Sequence, residues 1–239
     1  MILTDARILL DELEISSDLN SVVIGGGREM KDDGRFGKRT RCYEAGVLTW
    51  QFEAMGKLRA TLDEALDLRY EANDEALITV FREGAALGDK GYAMTGVTAE
   101  YNPFPGVPLG EPLTFSLKAL ARGRRVRCRL LATGAKVATF TGAAVHIAGG
   151  VPAGKKLYAG LHVTAVSGAA PTLDVTVESD DHAGFLSPTT RITFPTKSAV
   201  GAQFVTPVSG PITDDRLRMV GTIAGADPSF TVVGWFAIA

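Results

Sequence analysis

The sequence predicts an all-β protein, mainly antiparallel, of the sandwich or barrel type. Three observations lead there. First, short runs alternate apolar with polar residues. Leu113 to Leu120 sets Leu113, Phe115, Leu117 and Ala119 against Thr114, Ser116 and Lys118, and Thr172 to Ser179 sets Leu173, Val175 and Val177 against Asp174, Thr176 and Glu178. Side chains of a strand alternate faces, so each run buries one side and wets the other. Second, Gly and Pro (27 and 11 residues) break these runs at short intervals. Third, one short segment alone has convincing helical spacing.

The elements follow in order. Residues 1 to 20 form a short helix or a strand and turn, because Ile8, Leu9, Leu10, Leu13 and Ile15 fit neither period. Val22 to Ile24 is a short strand that stops at a flexible turn, Gly25-Gly26-Gly27. Lys31 to Arg41 (KDDGRFGKRTR) is a long loop or an exposed hairpin arm, and Val47 to Ala54 alternates again. Thr61 with Glu64 three residues on has capping-box spacing, and a helix follows through Leu62, Leu66 and Tyr70. Strands are expected at Ala76–Arg82 and Tyr92–Glu100, then a Pro-rich stretch (Pro103, Pro105, Pro108) that cannot be a central strand. Leu113–Ala121 and Arg124–Ala132, separated by Arg122-Gly123, read as a hairpin that Lys136–Thr141 extends. Gly149, Gly150, Pro152 and Gly154 mark a break, which divides the chain into 1–150 and a β-rich C-terminal part, 151–239, unless the second part completes the same barrel. In that part strands are expected at 156–166, 173–178, 191–194, 202–208, 216–223 and 229–238, with turns at Ser167-Gly168, Ser209-Gly210-Pro211 and Ala224 to Pro228.

Composition bounds the function. At 239 residues and 46% hydrophobic, the chain can bury a core without metal or disulfide. A net charge of −2 gives no bulk attraction to nucleic acid. Cys42 and Cys128 are far apart and read as free thiols, Cys128 facing a core. The start carries Asp5, Arg7, Asp11, Glu12 and Glu14, unlike a secretory signal, and no apolar run nears the roughly 20 residues that span a bilayer. A soluble, cytoplasmically made chain without a membrane partner is expected.

No catalytic constellation stands out, and neither enzyme activity nor a cofactor or metal is expected. His146 and His162 sit in apolar strands as hydrogen-bonded structural residues, and His182 follows Asp180-Asp181 without the spacing of a Ca²⁺ loop. The glycine triplet lacks what a phosphate loop needs. The sharpest local feature is Arg122 to Leu130, in which Arg125, Arg127 and Arg129 share one strand face opposite Val126, Cys128 and Leu130. Arginines spaced by two repel unless they meet acids or phosphates. Three readings stand: a solvated face, pairing with acids of a neighbouring subunit such as the acidic N-terminal segment, or contact with a nucleic-acid backbone. The last is disfavoured because no aromatic interleaves with the arginines. The loop with Asp32, Asp33, Arg35, Lys38 and Arg39 suits a subunit contact or an ordinary mobile loop.

Several stretches resemble the tail tube (major tail) proteins of long-tailed bacteriophages: Leu10 to Val23, Asp32 to Arg41, Ala45 to Gly56, Gly96 to Leu117, Leu157 to Phe185, Gly210 to Gly225 and Pro228 to Ala239. The resemblance covers most of the chain, whereas Arg28 to Met30, Gly34 and the Arg-rich strand depart from it. It implies a β-sandwich subunit flanked by a short helix, in rings, commonly six-membered, that stack into a hollow tube passing DNA. It further implies self-association, contact with tape-measure, terminator and distal tail proteins, and a place in the virion tail. A lumen that DNA traverses should not bind phosphates tightly, so Arg125, Arg127 and Arg129 belong at a subunit contact; the mixed charges of Asp32, Asp33, Arg35, Lys38 and Arg39 suit such a contact too. The rival readings are a capsid decoration protein and a carbohydrate-binding tail module. The latter would expose aromatics, whereas Trp50 and Trp235 are expected to be buried.

Overall fold

The computed structural model describes residues 6–32, 43–84, 86–106, 108 and 110–239, and of 30–32 and 43–46 the backbone. Its strands are β1 (Arg7–Leu10), β2 (Leu13–Glu14), β3 (Leu19–Asp32), β4 (Tyr43–Lys57), β5 (Glu75–Phe81), β6 (Lys90–Asn102), β7 (Thr114–Ala121), β8 (Val126–Lys136), β9 (Phe140–Thr141), β10 (Val145–His146), β11 (Lys156–Asp180), β12 (Thr189–Thr193), β13 (Gly201–Phe204), β14 (Val208–Ser209) and β15 (Arg216–Ile238). One α-helix, α1 (Ala60–Ala72), is found among the described residues. The fold is all-β and mainly antiparallel. The N-terminal segment resolves into strand, turn and strand, closed by a 3₁₀ turn at Ser16–Asp18.

Two compact units interleave along the sequence. One takes Met1–Ser17, Ala76–Thr95 and Arg125–Ala239, the other Asp18–Glu75 and Gly96–Arg124. Residue 150 therefore lies inside the first unit. The expected hairpin across Arg122-Gly123 does not form, because β7 pairs with β4 and β6 whereas β8 pairs with β15 and β6. The segment between them carries the chain from one unit to the other, a passage that looks like a tight turn in sequence.

In the first unit, β11 and β15 pair antiparallel from Leu157↔Ile238 to Asp180↔Arg216. Each was expected as two strands joined by a turn. Instead both strands bend in step at the Gly-rich points: Gly168 (φ 109°) and Ala170 (φ 46°) face Gly225 (φ 126°) and Asp227 (φ 49°), and the register shifts there. A Cβ on Gly168 would lie 2.7 Å from the Asp227 carbonyl oxygen, so the bend is too close for a side chain. Bent strands that change sheets make the corner of a β-sandwich. The halves nearest Leu157 and Ile238 pair with β13, β14 and β8; the other halves pair with β12, β9 and β10. Leu157, Leu161 and Val163 pack in one core with Leu173, Val175, Val177, Met219, Phe230 and Phe236. Each such side chain contributes about 1.5–3 kcal/mol on burial. On the reverse face Trp235, Cys128, Leu130, Val126, Phe81 and Leu9 form a second core, and His162 of β11 reaches Thr79 of β5, which closes this sheet into a barrel-like curl.

In the second unit the strand order is β3–β4–β7–β6. Registered pairs Phe52↔Ala119, Ala54↔Leu117 and Gly56↔Phe115 share one buried face. From that face the Tyr101 hydroxyl donates to Asp63 of α1, so the helix lies across it; burial, then Asp63, raise the Tyr101 pKa far above its ordinary value. Leu62 and Leu66 are the helix's buried residues. Thr61 is not the N-cap. Arg59 is, with extended φ −113° and ψ 146°, because its carbonyl already accepts the Leu62 and Asp63 N–H groups (3.0 and 2.9 Å). Nor do Gly25, Gly26 and Gly27 form a turn: β3 runs through them in register with Gln51, Trp50 and Thr49.

Candidate functional site: a basic cleft beside an apolar pocket

The Arg-rich run folds as the sequence alternation demands. On β8, Val126, Cys128 and Leu130 are buried, while Arg127 is exposed and Arg129 half-buried on the opposite face. Strand pairing then adds residues that the run itself does not contain. Lys90 stands opposite Arg129 and Tyr92 opposite Arg127. The Arg125 guanidinium lies 4.4 Å from the Tyr92 ring centroid and that of Arg82 6.0 Å away. Arg82, Lys90, Tyr92, Arg127 and Arg129 line a cleft of about 420 Å³.

A second pocket of about 280 Å³ shares Arg127 and Arg129 and is otherwise lined by Ile147, Ala148, Phe236, Ala237 and Ile238. Arg129 is steadied by donating to the His146 carbonyl at 3.3 Å. Like charges opposite one another on a sheet destabilise it, yet Lys90 faces Arg129 directly. Among the described residues neither these two nor Arg127 has a carboxylate partner; Arg82 has a loose one, Glu83, at 3.9 Å.

The acidic N-terminal segment is not a free reservoir of partners. Glu14 accepts from Nε and Nη2 of Arg7 at 3.0 and 2.8 Å, and the Asp11 carboxylate accepts the Leu77 N–H at 2.6 Å. Asp18 is ion-paired to Arg59. Of the loop residues singled out in sequence, Asp32 ends β3, and Asp33, Arg35, Lys38 and Arg39 lie outside the described residues. Arg82, Lys90 and Tyr92 escaped the sequence reading, because cross-strand register is not written in either strand alone. Tyr92 does interleave with the arginines, but guanidinium groups rather than open space lie over its ring.

The histidines are placed as follows. His162 is fully buried, between the Thr79 hydroxyl (2.8 Å) and the Asp11 carbonyl (2.7 Å). His146 is hydrogen-bonded as expected, its Nε2 3.1 Å from Asp215, but its two-residue strand leaves the ring half exposed. His182 sits in a loop held by Asp180, whose two carboxylate oxygens accept the His182 and Ser187 N–H groups at 2.8 and 2.9 Å. Those bonds, the one from His182 first, keep the Asp180 carboxyl below the usual range. Among the described residues no group of three or more His, Cys, Asp or Glu is arranged to hold a metal ion. Trp235 is fully buried as expected, but Trp50 is only half-buried.

No protein-family model and no curated protein matches the chain. Solved structures with a similar trace include a chain from the virion of a native gene transfer agent particle, at 14% identity and TM-score 0.41, covering 52% of this chain and 96% of that one. Another is the Dit protein of phage SPP1, from a hub adsorption apparatus of phages infecting Gram-positive hosts (11%, TM-score 0.39, covering 98% and 99%). A third belongs to the sheath-tube complex of an extracellular contractile injection system (12%, TM-score 0.36, covering 53% and 90%).

Proposed function

We propose that the chain is a structural protein of a bacteriophage tail, and within that class a tube subunit whose rings stack into a conduit for DNA. The observation that carries this reading is the outer end of the β3–β4 hairpin. Its core-side face runs from buried Phe52 through half-buried Trp50 to Leu48, 39% exposed, and Val47 beside it is 72% exposed. The far edge of β3 pairs with no strand among the described residues. An open edge flanked by exposed apolar residues aggregates unless a partner takes it. In a ring the next subunit takes it, and a head-to-tail contact closes when its rotation divides a full turn. The sequence resemblance to tail tube proteins supports the same arrangement.

In this reading the protein acts by assembly. It resides in the virion tail after synthesis in the host cytoplasm, meets tape-measure, terminator and distal tail proteins at the ends of the stack, and touches DNA transiently and without sequence preference. Arg125, Arg127 and Arg129 lie at a contact between subunits, away from the lumen, and Asp32, Asp33, Arg35, Lys38 and Arg39 serve a subunit contact as well.

Negative-stain electron microscopy across a concentration series tests it. Rings or hollow tubes of uniform width are expected from the wild-type chain, and Leu48→Glu combined with Val47→Glu should leave folded monomers. Monomers of the wild type at every concentration, with or without purified tail-tip components as initiator, would overturn the tube reading.

A further inference from the structure

The basic cleft has a chemical counterpart on the same chain. Helix α1 presents Glu64, Asp67, Leu68 and Glu71 to solvent, and Leu68 is 62% exposed. Residues three and four apart share a helix face, so Leu68 projects beside Glu64 and Glu71, with Asp67 adjoining. Among the described residues none of the three acids has an ion-pair partner. Glu71 lies in the last turn, where the helix dipole disfavours an anion. The helix thus carries an apolar knob ringed by unneutralised carboxylates. On β8 the pattern is inverted: an apolar pocket lined by Ile147, Phe236 and Ile238 is rimmed by Arg127 and Arg129, with Lys90 beside them.

We infer that α1 of one copy docks on the β8 cleft of the next, with Leu68 in the apolar pocket and Asp67 and Glu71 against Arg127 and Arg129. The inference rests on the self-assembling reading above and names the surfaces that join neighbouring subunits. The spacing agrees. Four residues of helix rise about 6 Å, and two residues of strand about 6.8 Å, so two carboxylates can meet two guanidinium groups at once. The contact joins different surfaces of the two copies, which is the kind that propagates around a ring. Desolvated Arg–carboxylate pairs around an apolar anchor also form a well-attested hot-spot arrangement.

Two charge-reversed proteins test the contact. Arg127→Glu with Arg129→Glu leaves an acidic cleft facing an acidic helix, and Asp67→Lys with Glu71→Lys leaves a basic helix facing a basic cleft. Each alone should stay monomeric by sedimentation velocity, with far-UV circular dichroism unchanged. Mixed, they are complementary in both directions, so association should return and rings should contain equal amounts of the two. Association of either variant alone at wild-type strength, or no association of the two folded variants when mixed, overturns the docking. Wild-type rings seen alongside that result leave the tube reading standing. If the wild type forms no rings but the two variants bind one another, the docking holds and the ring reading falls.

Discussion

His162 and Thr79 join the two strands that close the barrel-like curl: the imidazole Nε2 of β11 lies 2.8 Å from the hydroxyl of β5. The other ring nitrogen, Nδ1, lies 2.7 Å from the Asp11 carbonyl oxygen. A carbonyl only accepts, so Nδ1 carries the hydrogen, and in the neutral ring Nε2 accepts from Thr79. Burial is the main cause that lowers the His162 pKa to about 4. The unfolded chain has it near 6.5, so between these values the unfolded state binds more protons. Stability is therefore full above pH 6.5, falls as pH drops toward 4, and loses on the order of 3 kcal/mol over that window. Urea titrations at pH 7.5, 5.5 and 4 should show the decline, and His162→Gln should flatten it. An equal slope in both proteins would show that other groups carry it.

Three antiparallel pairs set an aromatic ring over a glycine: Gly26↔Trp50, Gly160↔Trp235 and Gly221↔Phe140. In each, a Cβ on the glycine would fall 2.3 Å from the ring. Trp235 is fully buried and closely packed, whereas Trp50 is half-buried, with solvent on part of its surface. Gly160→Ala is therefore expected to cost about 1–3 kcal/mol, as overpacked cores do, and Gly26→Ala clearly less. Thermal denaturation of the two variants side by side checks the order, and the reverse order would count against it.

Those glycines also show what the sequence discloses and what it hides. The alternation in Leu113–Leu120 and Thr172–Ser179 reports which side chains are buried, because that depends on one strand alone: Phe115, Leu117 and Ala119 of β7 and Leu173, Val175 and Val177 of β11 are buried as expected, whereas Leu113, which precedes β7, is exposed. The inward Cys128 was legible for the same reason. Glycine is ambiguous: in Gly25-Gly26-Gly27 it makes room for Trp50 in a continuous strand, and in Gly168 and Gly225 it permits a bend where a turn was expected. The hairpin across Arg122-Gly123 failed for a different reason. Two strands close in sequence pair by default, yet here β15, which begins about 80 residues after β8 ends, takes the edge of β8. The cleft was half legible, its arginines visible and its Lys90 and Tyr92 hidden, since register is a property of two strands.

Ser179, Arg191 and Asp214 form a closed triangle tying β11, β12 and the segment before β15. The Ser179 hydroxyl donates to Asp214 at 2.5 Å, and Arg191 donates to both partners at 2.7 and 2.9 Å. The Ser179 bond first, with Arg191 assisting, holds the Asp214 carboxyl below its ordinary range. Its contribution is present above about pH 4, the unfolded value, and is lost as pH falls through the folded one. Asp214→Ala should cost about 1.5–3 kcal/mol at pH 7. A double-mutant cycle with Arg191→Ala should show coupling well above zero. Additive losses would mean that the two residues act separately.

Cys128 gives a probe of the second core. Its side chain is 1% exposed among Val126, Leu130 and Trp235, and burial pushes the thiol pKa far up. The thiolate is the reacting species, so the folded protein offers neither the access nor the anion that a disulfide reagent needs. In a Cys42→Ser background, labelling with such a reagent is expected to be slow at pH 8 and to accelerate across the urea transition, with a midpoint matching that from circular dichroism. Rapid labelling in buffer would mean that β8 opens locally, and with it the floor beneath Arg127 and Arg129. Loss of that floor would weaken the docking proposed for α1, so the same measurement in the presence of excess wild-type chain should show labelling slowed further as neighbours assemble.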